Sequence, residues 1–295
     1  MFESVLKTQE LSRRFGKEWA VRDLNLEVPK GSVFGLLGPN GAGKSTTIQM
    51  IMGLLPATKG AAYVLGMNPA KEGCAVRRRV GYVPEIYGFY EWMKVEKLIA
   101  LVAAYHKTWN WTICETMRGE FRLDNQQKVG ELSKGMRAKL ALLLALSFEP
   151  EMLILDEPTG GLDPAARRNF IETILAHYQE SGKTILVSSH LLNEFSGLLD
   201  HVAFIREGKL ELVSRLDDLH KRMKRARLIF KESVPPILKA RNIINVKMNG
   251  REAVVTCSDF NPDETPNELA QSTGAENVIV EEMSLEDIFV DLVGS

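Results

Sequence analysis

Residues 38–45 read Gly-Pro-Asn-Gly-Ala-Gly-Lys-Ser and fit the pattern G-x-x-x-x-G-K-[ST] at every fixed position. The preceding run, 32–37, is apolar enough for a buried strand, and residues 45–55 have the pattern of a helix. Glycines let backbone N–H groups approach phosphate oxygens without a Cβ in the way, and the first turn of the helix directs its positive end at the same anion. We therefore predict a phosphate-binding loop between a strand and a helix.

Several side chains and backbone groups of this loop are candidate ligands. Lys44 would supply a full positive charge to the β- and γ-phosphates of a nucleotide, and the Ser45 hydroxyl can ligate Mg²⁺. The predicted nucleotide-binding residues of the loop are Gly38, Pro39, Asn40, Gly41, Ala42, Gly43, Lys44, Ser45 and Thr46.

A second apolar run, 152–155, ends in Asp156 and Glu157. Buried strands seldom end in two carboxylates without a charge to meet, and a phosphate-binding loop lies upstream. We predict that Asp156 holds Mg²⁺ and that Glu157 polarises the water that attacks the γ-phosphate. The alternative is an ordinary solvated strand end.

A third apolar run, 184–188, leads into Ser189 and His190. We expect this strand to lie beside the strand of residues 32–37, so that His190 could reach the γ-phosphate, stabilise charge and hold the attacking water. A histidine with a structural role at the strand end is the alternative reading of the same residues.

Composition excludes several classes of protein. The chain has 295 residues, 45% of them hydrophobic and 25% charged, and a net charge of −1, which argues against nucleic acid as its main partner. Three widely spaced cysteines favour neither a disulfide framework nor a zinc site, and they fit a reducing cytosol. The sequence shows no secretory signal. Its apolar runs are much shorter than the roughly 20 residues that a membrane-spanning helix needs, so we expect a cytoplasmic protein.

Continuous apolar runs separated by glycine-rich loops predict an α/β fold with a parallel sheet. The pattern becomes helical after residue 86, and this predicts a helical subdomain over about 86–150 within a first domain of residues 1–215. Asn249-Gly250, between two β-prone runs, predicts a hairpin, and helical patterns cover 262–272 and 284–293. We interpret residues 216–295 as a small C-terminal α+β accessory domain.

The ordered set of motifs over residues 2–215 resembles the ATP-binding cassette (ABC) family, whose fold is a P-loop NTPase (RecA-like) core with a helical subdomain. Leu132-Ser133-Lys134-Gly135-Met136 resembles its signature loop, and residues 160–164 resemble its D-loop. His190 stands where the family has a switch histidine, and Glu85 occupies the Q-loop position. In the family, an aromatic residue upstream of the phosphate-binding lysine stacks on adenine. Phe15 lies about as many residues upstream of Lys44 as that aromatic residue does, and Trp19 is the alternative.

The resemblance implies a mechanism and partners. Two cassettes, identical or not, bind ATP and Mg²⁺ head to tail, and each ATP lies between the phosphate-binding loop of one copy and Ser133 and Gly135 of the other. ATP joins the dimer, hydrolysis releases it, and a separate transmembrane permease subunit moves. The protein would then lie on the cytoplasmic face of the membrane through that permease. Residues 283–289 are similar to ATPase subunits of bacterial ABC-2-type exporters.

Two motifs depart from the usual pattern of the family. Glu85 replaces the usual glutamine; its carboxylate can still ligate Mg²⁺, but it adds negative charge beside the γ-phosphate. In the signature loop, Lys134 and Met136 stand in place of the usual glycine and glutamine, and for Lys134 either a phosphate contact or a solvent-facing side chain is consistent with the sequence. Residues 91–105 would line the groove that receives the permease, and the aromatic residues Tyr87 to Trp92 would either form that surface or pack locally.

The competing function is a soluble ATP-switched factor that acts on ribosomes or DNA. Ribosome-associated relatives usually carry two cassettes in one chain, and DNA-repair relatives have long coiled coils between the two halves of the site. This chain has one set of motifs and no heptad run between Lys44 and Ser133, so transport is the favoured function. A third possibility, a cassette that binds ATP without hydrolysis, is disfavoured by Glu157 and His190.

Overall fold

The computed structural model describes residues 3–178, 182–235 and 242–293. The chain forms two compact units: Met1–His190 with Ala203–Leu212, and Leu191–Val202 with Val213–Ser295. The segment after His190 thus belongs with the C-terminal unit, although it precedes the predicted boundary at residue 215. Within the described ranges, no helix is both long and apolar enough to span a bilayer.

The strands and helices up to residue 215 are interspersed along the chain. The strands are β1 (Ser4–Phe15), β2 (Glu18–Leu24), β3 (Glu27–Pro29), β4 (Val33–Leu37), β5 (Lys59–Val64), β6 (Val80–Val83), β7 (Met152–Asp156), β8 (Thr184–Ser189), β9 (His201–Arg206) and β10 (Lys209–Arg215). The helices are α1 (Lys44–Ile51), α2 (Pro69–Arg79), α3 (Val95–Ala103), α4 (Trp111–Glu120), α5 (Lys134–Leu146) and α6 (Pro164–Tyr178), with one 3₁₀ turn at Val129–Glu131.

The central sheet has the strand order β10-β9-β4-β8-β7-β6. Strands β4, β8, β7 and β6 pair in parallel, and every residue of β4, β7 and β8 is buried. This confirms the predicted parallel α/β core and the adjacency of β8 and β4. Because the carboxyl ends of parallel strands meet at one edge of a sheet, the loops after Leu37, Asp156 and Ser189 converge there.

A second, antiparallel sheet pairs β1 with β2, β3 and β5. One hydrophobic cluster joins it to the central sheet and to α1; Leu6, Phe34 and Ile48 are among its fully buried members. Helix α1 is shorter than the predicted 45–55, because the chain leaves the helix after Ile51 and Gly53 adopts a left-handed φ of 64°. Between β6 and β7 the regular elements are the helices α3, α4 and α5 and the 3₁₀ turn, as predicted for 86–150.

The C-terminal unit contains α7 (Leu216–Arg222), β11 (Lys224–Ile229), β12 (Ile243–Asn249), β13 (Glu252–Cys257), α8 (Thr265–Thr273), β14 (Asn277–Glu281) and α9 (Leu285–Val293). Its sheet has the order β12-β13-β11-β14 with each neighbouring pair antiparallel, which is the strand order of ferredoxin-like folds. The predicted hairpin is confirmed, and Gly250 has a φ of 62° at the first position of its two-residue turn.

A buried carboxylate ties this unit together. Asp291, on α9, is 4% exposed and accepts hydrogen bonds from Thr256 Oγ1 at 2.5 Å and Asn245 Nδ2 at 2.6 Å. The Arg225 guanidinium forms an ion pair with it at 3.4 Å. One side chain of the last helix therefore binds to three different strands.

We expect Asp291→Ala to lower the free energy of unfolding of the C-terminal unit by about 2 kcal/mol. The variant leaves the buried Thr256 hydroxyl and the half-buried Asn245 amide without their acceptor, and it removes one of the carboxylates that pair with Arg225. Amide hydrogen exchange of β11 and β13 measures the effect. Asp263→Ala removes an exposed carboxylate of the same unit and should change exchange little. Equal effects of the two variants would contradict a stabilising role for Asp291.

Candidate nucleotide-binding and hydrolysis site

The predicted phosphate-binding loop connects β4 to α1 at the edge where the parallel strands end. Gly41 and Gly43 adopt φ values of 80° and 104°, which strain a residue with a side chain, and α1 begins at Lys44. Pro39 and Asn40 are exposed, Ala42 is buried, and Thr46 is half-buried in the first turn of α1. The loop thus presents backbone N–H groups and a helix N-terminus to solvent, which is the arrangement that binds phosphate.

Close contacts with backbone fix the shape of this loop. A Cβ on Gly38 would lie 2.2 Å from the Ile205 carbonyl oxygen, and one on Gly43 would lie 2.4 Å from that of Ala20. Gly208, which the motif does not predict, donates its N–H to the Ala42 carbonyl at 3.0 Å, and a Cβ there would lie 2.7 Å from the Ala20 oxygen. The turn after β9 is therefore part of the support of the loop.

Lys44 is a buried cation in this loop, with 5% of its surface exposed. Its Nζ donates hydrogen bonds to the carbonyl oxygens of Gly38 at 2.7 Å and Pro39 at 3.0 Å. The same nitrogen lies 3.0 Å from Glu157 Oε1 in an ion pair. The phosphate-binding loop and the end of β7 are thus joined through one side chain.

The two acids after β7 occupy different environments. Asp156 Oδ1 accepts hydrogen bonds from Ser45 Oγ at 3.0 Å and from Ser188 Oγ at 2.7 Å. Glu157 Oε2 lies 2.7 Å from His190 Nδ1, while its Oε1 is buried and, among the described residues, faces Lys44 without a hydrogen bond. The structure thus brings Lys44 and Ser45 of the loop together with Asp156, Glu157 and His190.

Electrostatics link Asp156 to the Q-loop position. Burial raises the pKa of Asp156, while the hydrogen bonds from Ser188 and Ser45 act to lower it. The negative charges of Glu85 and Glu157 raise the same pKa further. Glu85 is exposed, yet its charge acts on Asp156 and also on the pKa of Tyr82, which burial raises. Glu85 therefore lies within electrostatic reach of the predicted metal position.

Phe15 lies at the tip of the β1–β2 hairpin, where it pairs with Glu18. Its ring is 49% exposed, and the Arg13 guanidinium lies 4.6 Å from the ring centroid. Trp19 is less exposed and has two cations near its ring, Arg14 at 5.5 Å and Lys59 at 5.9 Å. Phe15 thus has the more accessible ring of the two predicted adenine-stacking candidates.

The signature-like residues stand at the start of α5. Ser133 caps this helix, because its Oγ accepts a hydrogen bond from the Met136 N–H at 3.2 Å. Gly135 lies in the first turn, where a Cβ would make ordinary contact with Ala166 at 3.6 Å. A Cβ on Gly161, in the segment that resembles the D-loop, would lie 2.1 Å from Lys134 Nζ. Lys134 is exposed, but its amino group lies against the D-loop of its own chain.

Comparison with known proteins identifies this arrangement. Residues 21–160 match the model of the family described as ABC transporter. The chain is 33% identical to the bacitracin transport ATP-binding protein BcrA of Bacillus licheniformis over 99% of this chain and 98% of that protein. It is 34% identical to the lantibiotic transport ATP-binding protein SrtF of Streptococcus pyogenes over 72% of this chain and 92% of that protein.

Solved structures agree. The structure of an ATP-binding subunit of an ABC transporter superposes with a TM-score of 0.66 and 30% identity, over 74% of this chain and 92% of that one. The dimeric cassette MJ0796 with ADP and phosphate has the same fold, with a TM-score of 0.63 at 21% identity, over 72% of this chain and 98% of that one. The chain belongs to the ABC transporter family and is an ATP-binding, ATP-hydrolysing subunit of such a transporter.

Proposed function

We propose that this subunit drives an exporter for antimicrobial compounds, as a head-to-tail dimer bound to a separate transmembrane permease. The observation that supports hydrolysis most directly is the chain of contacts from Lys44 to Glu157, 3.0 Å, and from Glu157 to His190, 2.7 Å, beside the phosphate-binding loop. Similarity over nearly the full length to a bacitracin transport protein favours an antibiotic as substrate and export as direction. The permease would hold the subunit at the cytoplasmic face of the membrane.

In this proposal each residue has one role. The backbone of residues 38–46 and the Lys44 amino group bind the β- and γ-phosphates, and Phe15 stacks on adenine. Glu157 accepts the proton of the attacking water as general base. His190, which lies 2.7 Å from Glu157, holds that carboxylate and water in line with the γ-phosphate.

Mg²⁺ fits the donors at the base of the loop. Adjacent ligands of six-coordinate Mg²⁺ are about 3 Å apart, because each metal–oxygen distance is about 2.1 Å. Ser45 Oγ and Asp156 Oδ1 are 3.0 Å apart. Within the described part of the chain, no group of three or more His, Cys, Asp or Glu could hold a metal, which suits an ion that takes its other ligands from phosphate and water. Mg²⁺ held there would neutralise charge on the β- and γ-phosphates.

Glu85 is proposed to face this metal as well, and Glu85→Gln tests that placement. The variant removes one negative charge that raises the pKa of Asp156. Because Glu85 is exposed and its charge is screened by solvent, we expect retained ATP binding and a change in turnover of less than about tenfold. Equilibrium ATP titration and steady-state hydrolysis measure both quantities. Complete loss of ATP binding would contradict this placement of Glu85.

Dimerisation completes the proposed site. The N-terminus of α5 carries the exposed Ser133 and, in the first turn, Gly135, and its N–H groups favour an anion. We assign these residues to the γ-phosphate of ATP bound by the second copy. Because Lys134 lies against Gly161 of its own chain, we assign it to the D-loop and not to that phosphate. Either an identical chain or a related cassette can supply the second copy.

A groove between the central sheet and the helical subdomain is the proposed permease site. The half-buried Phe89 and His106 and the buried Phe148 line it, and Leu54, which also lines it, is 52% exposed. Beside it, Tyr90 and Trp92 are exposed, whereas Tyr87 and Phe89 stack on each other with ring centroids 5.4 Å apart. An apolar groove with an aromatic rim suits a short amphipathic helix of a membrane subunit.

Fractionation of cells and affinity purification test the proposed partner. We expect the chain in the membrane fraction, co-purified with a multi-span membrane protein. Leu54→Glu should release it, whereas Val213→Glu, which places the same charge at an exposed position of β10, should not. Recovery of the wild-type chain with ribosomes or DNA, and not with membranes, would overturn the transport proposal in favour of a soluble ATP-switched factor.

A further inference from the structure

Ser188 is a fully buried polar residue beside the two acids of the site. It has 0% exposure and is the register partner of Asp156 in the parallel pair β7–β8. Residues paired in this way project to the same face of a sheet, so the hydroxyl and the carboxylate face each other. A hydroxyl has one donor and two acceptor sites, and here it bridges two neighbouring residues.

The donor site of Ser188 is used for Asp156. Its Oγ donates a 2.7 Å hydrogen bond to Asp156 Oδ1, the oxygen that also accepts from Ser45. The bond from Ser188 involves no atom of the phosphate-binding loop. Ser188 therefore fixes the orientation of the carboxylate independently of the phosphate-binding loop.

The acceptor site of Ser188 is used for Glu157. The Glu157 N–H donates to Ser188 Oγ at 3.0 Å and to the Ser188 carbonyl oxygen at 3.2 Å. Glu157 has a left-handed φ of 47°, a conformation that is strained for a residue with a side chain. The two hydrogen bonds hold this peptide, and with it the direction in which the Glu157 side chain leaves the strand toward Lys44 and His190.

We propose that Ser188 is a positioning residue for ATP hydrolysis, which sets the metal-binding carboxylate of Asp156 and the water-activating carboxylate of Glu157 through one buried hydroxyl. This inference rests on the roles proposed above for those two acids. In this proposal Ser188 contacts neither the nucleotide nor the attacking water. It acts through Asp156 and Glu157, which do.

Ser188→Ala tests the inference, because it removes both hydrogen bonds and little volume. Loss of the partner that orients a metal ligand typically costs 10–100-fold in metal affinity or activity. We expect kcat to fall by at least about tenfold, and the Mg²⁺ concentration for half-maximal ATP binding to rise by about tenfold. ATP affinity in EDTA should remain unchanged, and Ser188→Thr, which keeps the hydroxyl, should restore part of both losses.

Ser147→Ala is the matched control. Ser147 is also 0% exposed, and its hydroxyl donates a 2.7 Å bond to the Leu143 carbonyl, away from the acids. A merely structural role predicts that the two variants lower the melting temperature alike and leave the Mg²⁺ dependence alone, and that result would overturn the inference. So would wild-type kcat and Mg²⁺ dependence in Ser188→Ala.

Asp156→Asn and Glu157→Gln, measured in parallel, separate the two proposals. If both of these variants hydrolyse ATP at the wild-type rate, the roles assigned to the acids are wrong, and the inference about Ser188 fails with them. If both lose turnover while Ser188→Ala keeps it, the proposed function stands and only the role of Ser188 is refuted.

Discussion

Glu157→Gln is expected to lower the rate of ATP hydrolysis by at least about 100-fold, because an amide cannot accept the proton of the attacking water. ATP binding should persist or strengthen. In the structure Glu157 Oε1 lies 3.0 Å from Lys44 Nζ. A neutral glutamine would leave the positive charge of Lys44 available to the phosphate, and it would remove a negative charge that repels the phosphate. With binding intact and cleavage blocked, the ATP-bound dimer should accumulate. Hydrolysis assays and size-exclusion chromatography with light scattering measure the two effects.

Glu151→Gln is the matched control for this variant. Glu151 carries the same side chain at the other end of β7 and forms an exposed ion pair with Arg79. Loss of an exposed ion pair changes stability by at most about 1 kcal/mol and should affect neither turnover nor association. Wild-type turnover of Glu157→Gln would show that another group activates the water. A monomer under saturating ATP and Mg²⁺ would refute the head-to-tail dimer.

Gly43→Ala is expected to abolish ATP binding and to destabilise the N-terminal unit by about 3 kcal/mol. The added Cβ would lie 2.4 Å from the Ala20 carbonyl oxygen and 3.2 Å from Val21 Cγ2, and the φ of 104° is strained for alanine. The loop must move away from β2. Because a displacement of about 1 Å in a binding site can cost on the order of 100-fold, ATP affinity should fall at least that much. Thermal unfolding and ATP titration provide the measurements.

Gly66→Ala isolates the contribution of backbone strain. Gly66 has a φ of 78°, but nothing lies within 4 Å of its Cβ position. This variant should lose only about 1 kcal/mol of stability and keep normal ATP affinity. If Gly43→Ala and Gly66→Ala had the same unfolding temperature and the same ATP affinity, the contact with Ala20 would not explain the glycine at position 43.

Much of the site could be predicted because its residues lie in short contiguous patterns. The loop at 38–45, the acids at 156 and 157 and the histidine at 190 each follow an apolar run. In a parallel sheet such runs end at the same edge. The hairpin at Gly250 was equally predictable, since its signal is local.

The connections between these patterns could not be predicted in the same way. The bond from Ser188 to Asp156 depends on the register of β7 against β8, which no local pattern encodes. The signal available for Ser188 was a hydroxyl at the end of an otherwise apolar buried strand. The left-handed φ of Glu157 was likewise hidden, because glutamate gives no sign of such a conformation.

The C-terminal unit shows the same limit. Asp291 looks like a surface acid of an amphipathic helix, and only the packing of α9 against strands distant in sequence buries it. The membership of Leu191–Val202 in this unit also depends on contacts between distant segments. From the sequence alone, these residues are expected to belong to the first domain, which is predicted to end at residue 215.

The bond between Gly208 and Ala42 bears on the design of minimal fragments. The stretch that carries the family match, residues 21–160, includes the phosphate-binding motif, but it lacks Gly208 and the Ile205 carbonyl against which Gly38 packs. A recombinant fragment limited to that stretch would contain the whole motif but would lack the backbone contacts that hold the loop in shape. Fragments meant to bind nucleotide should therefore extend past the turn at Gly208.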